Sequence, residues 1–397
     1  MRFYVALLLV PIFAFSIVPS YRVDDPVLSL ENPREFLSVE VDLSSQILQN
    51  LLTIDDLMKL VNGATITIDK SRLDLITGNV IVNPFLNSIA SVELGTKNFK
   101  IGAFTKVENT TILKLPKDLA RILLGDVDFE ENVDEEFNMF EGGILAKAGA
   151  IFSMRFGSLG IGLRGGIYLP VAWFDPESKV RFVYVSDPDT GSLHASLSGE
   201  SRFFTPLSSF NDISPDELID QAGYFLDAGI SYKIGKLFMG VSIENVSIKP
   251  SILKNYAFAN VTFSATFENL NFESEGPDYS LSENIETLEE GKEISVPMSI
   301  SALLNYNLGI FNLAGHFKTF LGMDHWEAGG YVSLGDILYL DVSMLSEGYW
   351  KKILGLNLDL RVLRLSASLG VLDTSILNFD TKKMIGLSFS AGVGIGF

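Results

Sequence analysis

The sequence predicts an all-β chain, a transmembrane antiparallel up-and-down β-barrel of about 14 strands (roughly 12 to 16) with a short helical N-terminal segment, on three observations. The stretch Met384 to Phe397 alternates one apolar face (Ile385, Leu387, Phe389, Ala391, Val393, Ile395, Phe397) with a face of Met384, glycine and serine. That two-residue period is a strand's, and the stretch is long enough to cross a bilayer at a tilt. Mean hydropathy is +0.28 and 47% of residues are hydrophobic, yet beyond residue 20 no apolar run approaches the roughly 18 residues of a spanning helix. From Gly143 onward, alternating segments follow one another with turns rich in Gly, Asn and Asp. Apolar character spread by alternation leaves the closed barrel, because only helices and barrels satisfy every backbone group in lipid.

Taken in order, residues 1–20 carry Arg2 as their sole charge, a hydrophobic stretch from Phe3 to Ile17 and Val18-Pro19-Ser20. They read as a secretory signal peptide cut near Ser20 or Ser16. Residues 21–62 read as a lead: Pro26 and Pro33 keep its start extended, and Ile47, Leu51, Ile54, Leu57, Met58 and Leu60 fall at helical spacing around Thr53. Within it Glu35 to Leu43 alternates weakly; the lead is too small for a core of its own and is expected either inside the lumen as a plug or packed beneath the barrel. The barrel itself is assigned to 63–397. Residues 88–113 alternate about the turn Thr96-Lys97-Asn98, and Leu115 to Gly125 reads as a helix opened by Pro116 and closed by Gly125. Asp126 to Glu141 holds eight acidic residues and no basic one; its spacing does not match a calcium-binding EF-hand loop, and it reads as a solvated loop.

The remaining strands are expected at 143–156, 159–174, 178–186, 192–204, 224–233, 237–248, 255–268, 295–306, 310–320, 326–334, 336–345, 351–360, 362–371 and 384–397, and the pair within 88–113 would raise the count to about 16. Face assignment follows from the alternation. In 310–320 the outward set is Phe311, Leu313, Gly315 and Phe317, leaving Asn312, His316 and Lys318 for the interior. In 295–306 the outward set runs Val296, Met298, Ile300, Ala302, Leu304 and Tyr306. Glu327, Asp341, Asn357 and Asp359 face inward from the strands that follow. Trp326, Trp350, Tyr306 and Tyr349 fall near strand ends, where an interfacial aromatic girdle belongs. No strand is expected to put a charge in the lipid band.

Counting back from a periplasmic C-terminus places 372–382, 346–349, 321–325 and the acidic 269–294 outside, and would place the helix-like 214–222 on the periplasmic side. Chemistry is sparse. The three histidines, His194, His316 and His325, have no serine or cysteine placed by motif to make a nucleophilic pair, so no enzyme is expected, and no cofactor or metal site. The absence of cysteine excludes disulfides and lipid attachment through that residue. A formal net charge of −19 argues against nucleic acid as a partner.

Ending on Phe397 resembles the C-terminal signature of bacterial outer-membrane β-barrels, whose insertion machinery recognises such an end. Four stretches resemble a group of exported barrels distantly similar to the fatty-acid-transporter class: 35–60 (EFLSVEVDLSSQILQNLLTIDDLMKL), 115–119 (LPKDL), 226–246 (LDAGISYKIGKLFMGVSIENV) and 296–306 (VPMSISALLNY). The resemblance implies an outer-membrane barrel with an N-terminal luminal segment and carries over no binding residue. The expected function is a pore or passive transporter for small or hydrophobic solutes, with outer-membrane lipid and the barrel-insertion machinery as partners. In that reading Asn312, His316, Lys318, Glu327, Asp341, Asn357 and Asp359 tune a wet lumen. The competing readings are a structural, assembly or secretion barrel closed to solutes, and a soluble all-β binding protein, whose outward apolar faces would aggregate in water.

Overall fold

The computed structural model describes residues 36–50, 53, 56, 59, 79–117, 119, 132–187, 189–208, 215–268, 271–281, 285–320, 324–334, 337–359, 362–377 and 386–396. The expected signal peptide and Phe397 lie outside them. In chain order the strands are β1 (Leu37–Gln49), β2 (Val80–Thr96), β3 (Phe99–Asn109), β4 (Ile112–Leu115), β5 (Val133–Phe137), β6 (Phe140–Glu141), β7 (Gly143–Phe156), β8 (Leu159–Phe174), β9 (Val180–Asp187) and β10 (Ser192–Thr205). A short helix α1 (Pro215–Gln221) intervenes. Then come β11 (Gly223–Ile234), β12 (Leu237–Lys249), β13 (Ser251–Glu268), β14 (Asn271–Leu281), β15 (Glu286–Ile294), β16 (Ser299–Asn307), β17 (Phe311–Phe320), β18 (His325–Leu334), β19 (Leu338–Leu345), β20 (Trp350–Asp359), β21 (Leu363–Asp373) and β22 (Gly386–Gly396).

Fourteen of these strands close a ring by antiparallel pairing: β1, β2, β3, β7, β8, β11, β12, β16, β17, β18, β19, β20, β21, β22 and back to β1. The number matches the expectation while the membership differs. Leu37–Gln49, read as lead and helix, is a wall strand that pairs β2 on one side and β22 on the other. The helical spacing competed with the alternation Ser38, Glu40, Asp42 against Val39 and Val41, and the ladder won because β22 would otherwise present an open edge. Helical conformation appears only further on, at Asp56 and Lys59, where Thr53 and Asp56 bond reciprocally, Thr53 N–H to Asp56 Oδ2 at 3.0 Å and Asp56 N–H to Thr53 Oγ1 at 3.3 Å. Most of the expected helix at 115–125 lies outside the described residues.

The expected wall strands at 178–186, 192–204 and 255–268 stand instead in a second sheet on the rim, ordered β5, β9, β10, β13, β14, with β15 also on β13. Phe182, Tyr184, Leu193, Ala195, Val261 and Phe263 are buried beneath it. The acidic segments 126–141 and 269–294, read as loops, contribute β5, β6, β14 and β15 to this rim structure. Subtracting three strands from the wall reverses the parity upstream: α1 lies on the rim of the long connections rather than on the opposite rim, where, among the described residues, the strands are joined by short turns at 97–98, 157–158, 235–236 and 308–310.

The outward face is apolar along the ring: Val41, Val92, Ile230, Val241, Leu313, Leu340, Leu354, Leu369 and Val393 are all at least 40% exposed. Burying such a band requires lipid. Lys352, in register with Val342 and Val371, is buried and its ammonium pairs with buried Asp373 at 3.2 Å. Two placements change. Tyr349 is buried with Leu345 and Leu372 rather than set in a girdle. Val296 turns inward: Pro297 has no N–H for a ladder, so β16 starts at Ser299, and Val296 packs inside the barrel.

Closure depends on the glycine-serine face of β22. Arg364 of β21 stands opposite Gly394 and reaches across β22 to β1, placing Nη1 3.1 Å from Glu40 Oε2 and Nη2 3.2 Å from Asp42 Oδ1. A Cβ at Gly392 would come within 1.9 Å of Asp42 Oδ1. Those glycines are the space through which the last hairpin is tied to the first strand.

Candidate functional site: the lumen and its outer mouth

Strands β2, β3, β7, β8 and β11 place Ile89, Phe104, Leu145, Ile151, Tyr168 and Phe225 on the inner face, and Val296 completes one buried apolar cluster with them. Phe104 and Phe225 meet edge to face with centroids 6.1 Å apart. The expectation of a uniformly wet lumen is corrected here: part of the inner wall is aromatic and aliphatic. The signal in the sequence was a lone aromatic on an otherwise charged face, Phe104 among Lys100, Lys106 and Glu108, and Phe225 beside Asp227.

An ionic network adjoins the cluster. Arg164 Nε donates to Asp227 Oδ2 at 2.7 Å and lies 3.7 Å from Glu244; its guanidinium sits 5.0 Å from the Phe104 ring centroid. Lys147 bonds Glu108 at 2.7 Å and the Asn245 amide oxygen at 2.6 Å, and Lys318 stands 3.6 Å from Glu244. Lys106 also pairs with Glu108. The network thus ties β3, β7, β8, β11, β12 and β17 together, and every charge in it is paired, as burial demands.

Of the sequence-selected residues, Asn312 is buried and its amide donates to Ser333 Oγ at 3.2 Å. His316 Nε2 is 3.1 Å from Asp341 Oδ1, and Glu327 accepts from Ser343 at 2.7 Å and pairs with Lys351. Lys318 joins the network above. Asn357 is half-buried on the inner face, and the Asp359 side chain lies outside what is described. The structure brings His316 to Asp341 and Glu327 to Lys351.

The β12–β16 ladder ends at Glu244 opposite Ser299, whereas β12 continues against β11 to Lys249 opposite Tyr224. At this point Asn245 adopts φ +64°, a left-handed conformation that costs a non-glycine residue on the order of 1 kcal/mol. The strain is held by three bonds: its N–H to Asp227 at 2.6 Å, its amide oxygen to Lys147, and its amide nitrogen to Pro297 O at 3.4 Å. Tyr168, fully buried, crosses Gly223 and places its hydroxyl 3.0 Å from Ser247 Oγ and 2.9 Å from Ile294 O, while accepting from Ser251 N at 3.2 Å. Ile294 and Val296, both buried, are therefore pinned beside the cluster at a break in the wall. Beside it a small concavity of about 40 Å³ is lined by Phe85, Leu145, Trp173, Val296, Pro297 and Lys318 among others.

The pairing and the apolar outer band define a 14-stranded transmembrane β-barrel. No family model matches the sequence, and no curated protein matches it. Among solved structures the chain is distantly similar to the CymD monoaromatic hydrocarbon channel, with 8% identity over 96% of this chain and 94% of that one and a TM-score of 0.45. It is similar likewise to a Pseudomonas aeruginosa FadL homologue (8%, 96% and 95%, TM-score 0.43) and to the P. putida toluene transporter TodX (10%, 94% and 93%, TM-score 0.40). These values are low, and the fold rests on the strand pairing itself.

Proposed function

We propose that the protein is a passive outer-membrane conduit for small apolar or weakly amphiphilic solutes. The observation that carries this reading is the apolar lining Ile89–Phe104–Leu145–Tyr168–Phe225 under Val296, next to a concavity that opens toward the long connections. A lumen built only to hold the barrel together has no need of an aromatic cluster inside it; the cluster is packed shut in the structure, with none of its members more than 8% exposed, and a poorly hydrated solute that enters beside Val296 would gain about 25 cal/mol per Å² of apolar area it buries there. The long connections then face outside and the short turns the periplasm, with lipid and the insertion machinery acting on the outward band and the terminal strand. The paired luminal charges favour a second reading, a structural barrel closed to solutes, because they cross the space a pore needs.

The test is uptake of N-phenylnaphthylamine, which brightens on entering an apolar phase, by a Gram-negative host with an intact lipopolysaccharide layer. Folded protein in the outer membrane should accelerate entry several-fold over the host alone. Equal rates would refute the conduit and leave the structural barrel.

A further inference from the structure

The two ends of the barrel differ in charge. At the long connections the described acids crowd together and stay exposed: Asp134, Glu135 and Glu136 in β5, Asp216, Glu217 and Asp220 in α1, and four glutamates against Lys292 in β15. Within three residues of the short turns at 97–98, 157–158, 235–236 and 308–310, in a chain of formal net charge −19, there are five basic residues and no acidic one. Lys100, one of the five, turns inward and is buried near Glu93. The other four, Lys97, Arg155, Lys233 and Lys236, are exposed or half-buried. The sequence before β1 and in the connections β18–β19 and β20–β21 adds Arg34, Glu35, Asp336 and Arg361, two charges of each sign, so the excess stands.

These cations stand together. The hairpins β2–β3, β7–β8 and β11–β12 follow one another along the wall, since β3 pairs β7 and β8 pairs β11. Their tips are bonded to each other: Arg155 N–H donates to Asn98 O and Lys233 N–H to Ser158 O, each at 2.8 Å. Two of the turns need no cation for their own geometry, because Gly157 and Gly235 supply the left-handed φ, +58° and +55°, of a tight hairpin. The cations have exposed apolar neighbours in the chain: Phe99 near Lys97, Phe156 beside Arg155, and Tyr232 and Ile234 on either side of Lys233. A strand end that offers hydrocarbon to the acyl layer with a long cationic side chain next to it suits the boundary between acyl chains and headgroups.

We propose that this rim, from Lys97 to Lys236, binds the headgroups of anionic phospholipid and gathers such lipid on the β2–β12 side of the barrel. The occupant follows from charge: a cationic arc attracts a lipid of net negative charge and gains little from a zwitterionic one, and the acidic rim at the other end repels it. The attraction depends on the sign and exposure of the arc, not on its cations lacking partners within the protein. Nor does it depend on a solute route, so this surface and the conduit fail separately.

The chain has no cysteine, so a bimane label at Ser158→Cys reports on this rim, and one at Leu358→Cys, exposed in β20, on another part of the ring. Each is reconstituted in phosphatidylcholine vesicles that contain a small, equal fraction of nitroxide-labelled phosphatidylglycerol or nitroxide-labelled phosphatidylcholine. The anionic lipid should quench the label at 158 several-fold more than the zwitterionic one, and the two should quench the label at 358 alike. The excess at 158 should vanish in Lys97→Gln/Lys233→Gln/Lys236→Gln. It should vanish also with the three lysines intact at about 1 M salt, where the screening length is about 3 Å, an arm that needs no further variant to fold. Equal quenching by both lipids at 158, the same excess at 158 and 358, or an excess that survives the triple variant or the salt would overturn the proposal.

Discussion

Replacing Arg364 with methionine tests how the ring is closed. The guanidinium bridges Glu40 and Asp42 at 3.1 and 3.2 Å, and the three side chains are 4%, 1% and 7% exposed. Ser38 also donates to Glu40 at 3.1 Å, so removing the cation leaves two carboxylates that are committed to the interior without the guanidinium that bridges them. Breaking a buried pair by deleting one partner costs about 3 to 5 kcal/mol, or roughly two to three and a half decades in the folding equilibrium. The triple variant Glu40→Gln/Asp42→Asn/Arg364→Met removes all three charges and should recover most of that loss. The assay is reversible urea unfolding of the chain refolded into lipid vesicles, followed by tryptophan emission. An Arg364→Met barrel within about 1 kcal/mol of the parent, or a triple variant no better than the single one, would refute the account of closure.

Other predictions follow from individual contacts. Tyr168→Phe keeps the ring over Gly223 and loses the hydroxyl that joins Ser247, Ile294 and Ser251; a loss of about 1 to 3 kcal/mol should appear in the same unfolding assay. Gly355→Ala would place a Cβ 2.1 Å from the Tyr339 ring, so it should destabilise strongly alone and much less in a Tyr339→Ala background. In the 346–349 connection, burial opposes the charge on Glu347 but is outweighed by bonds from His325, its own backbone N–H and Ser346, holding its carboxyl below the ordinary value of 4.5. A carboxyl depressed in the folded state contributes stability above its unfolded value and loses it as pH falls through the folded one. Glu347→Gln should therefore cost most stability in the neutral region and converge on the parent as pH falls below about 4.5, which flattens the acid limb of the profile.

Much of the barrel was legible because lipid on one side and a filled interior on the other impose strict alternation. Strands β7 and β8 begin and end at the residues expected, Gly143–Phe156 and Leu159–Phe174. What misled was alternation that serves another purpose. In β9, β10 and β13 the apolar face covers the core of the rim sheet instead of meeting lipid, and a single strand carries no mark of which it does. β1 failed for the opposite reason: its alternation over 35–43 is weak and gives way to helical spacing from Ser44, and the meaning of Glu40 and Asp42 emerges only with Arg364, more than 300 residues away. Val296 was assigned outward by extending a period through Pro297, although proline there ends the ladder. The inner polar residues of β17 to β19 were readable from alternation, whereas the pairs His316–Asp341 and Glu327–Lys351 needed the register.

The N-terminal truncation that a plug would invite is not informative, since removing residues through 62 deletes wall strand β1. The most direct test of the conduit is instead a size series at Val296, which caps the apolar lining from a segment outside the wall. In the N-phenylnaphthylamine uptake assay, Val296→Ala should raise the rate above that of the parent and Val296→Trp should lower it toward the empty host. Identical rates for all three, at equal amounts of folded protein in the membrane, would contradict a solute route beneath Val296.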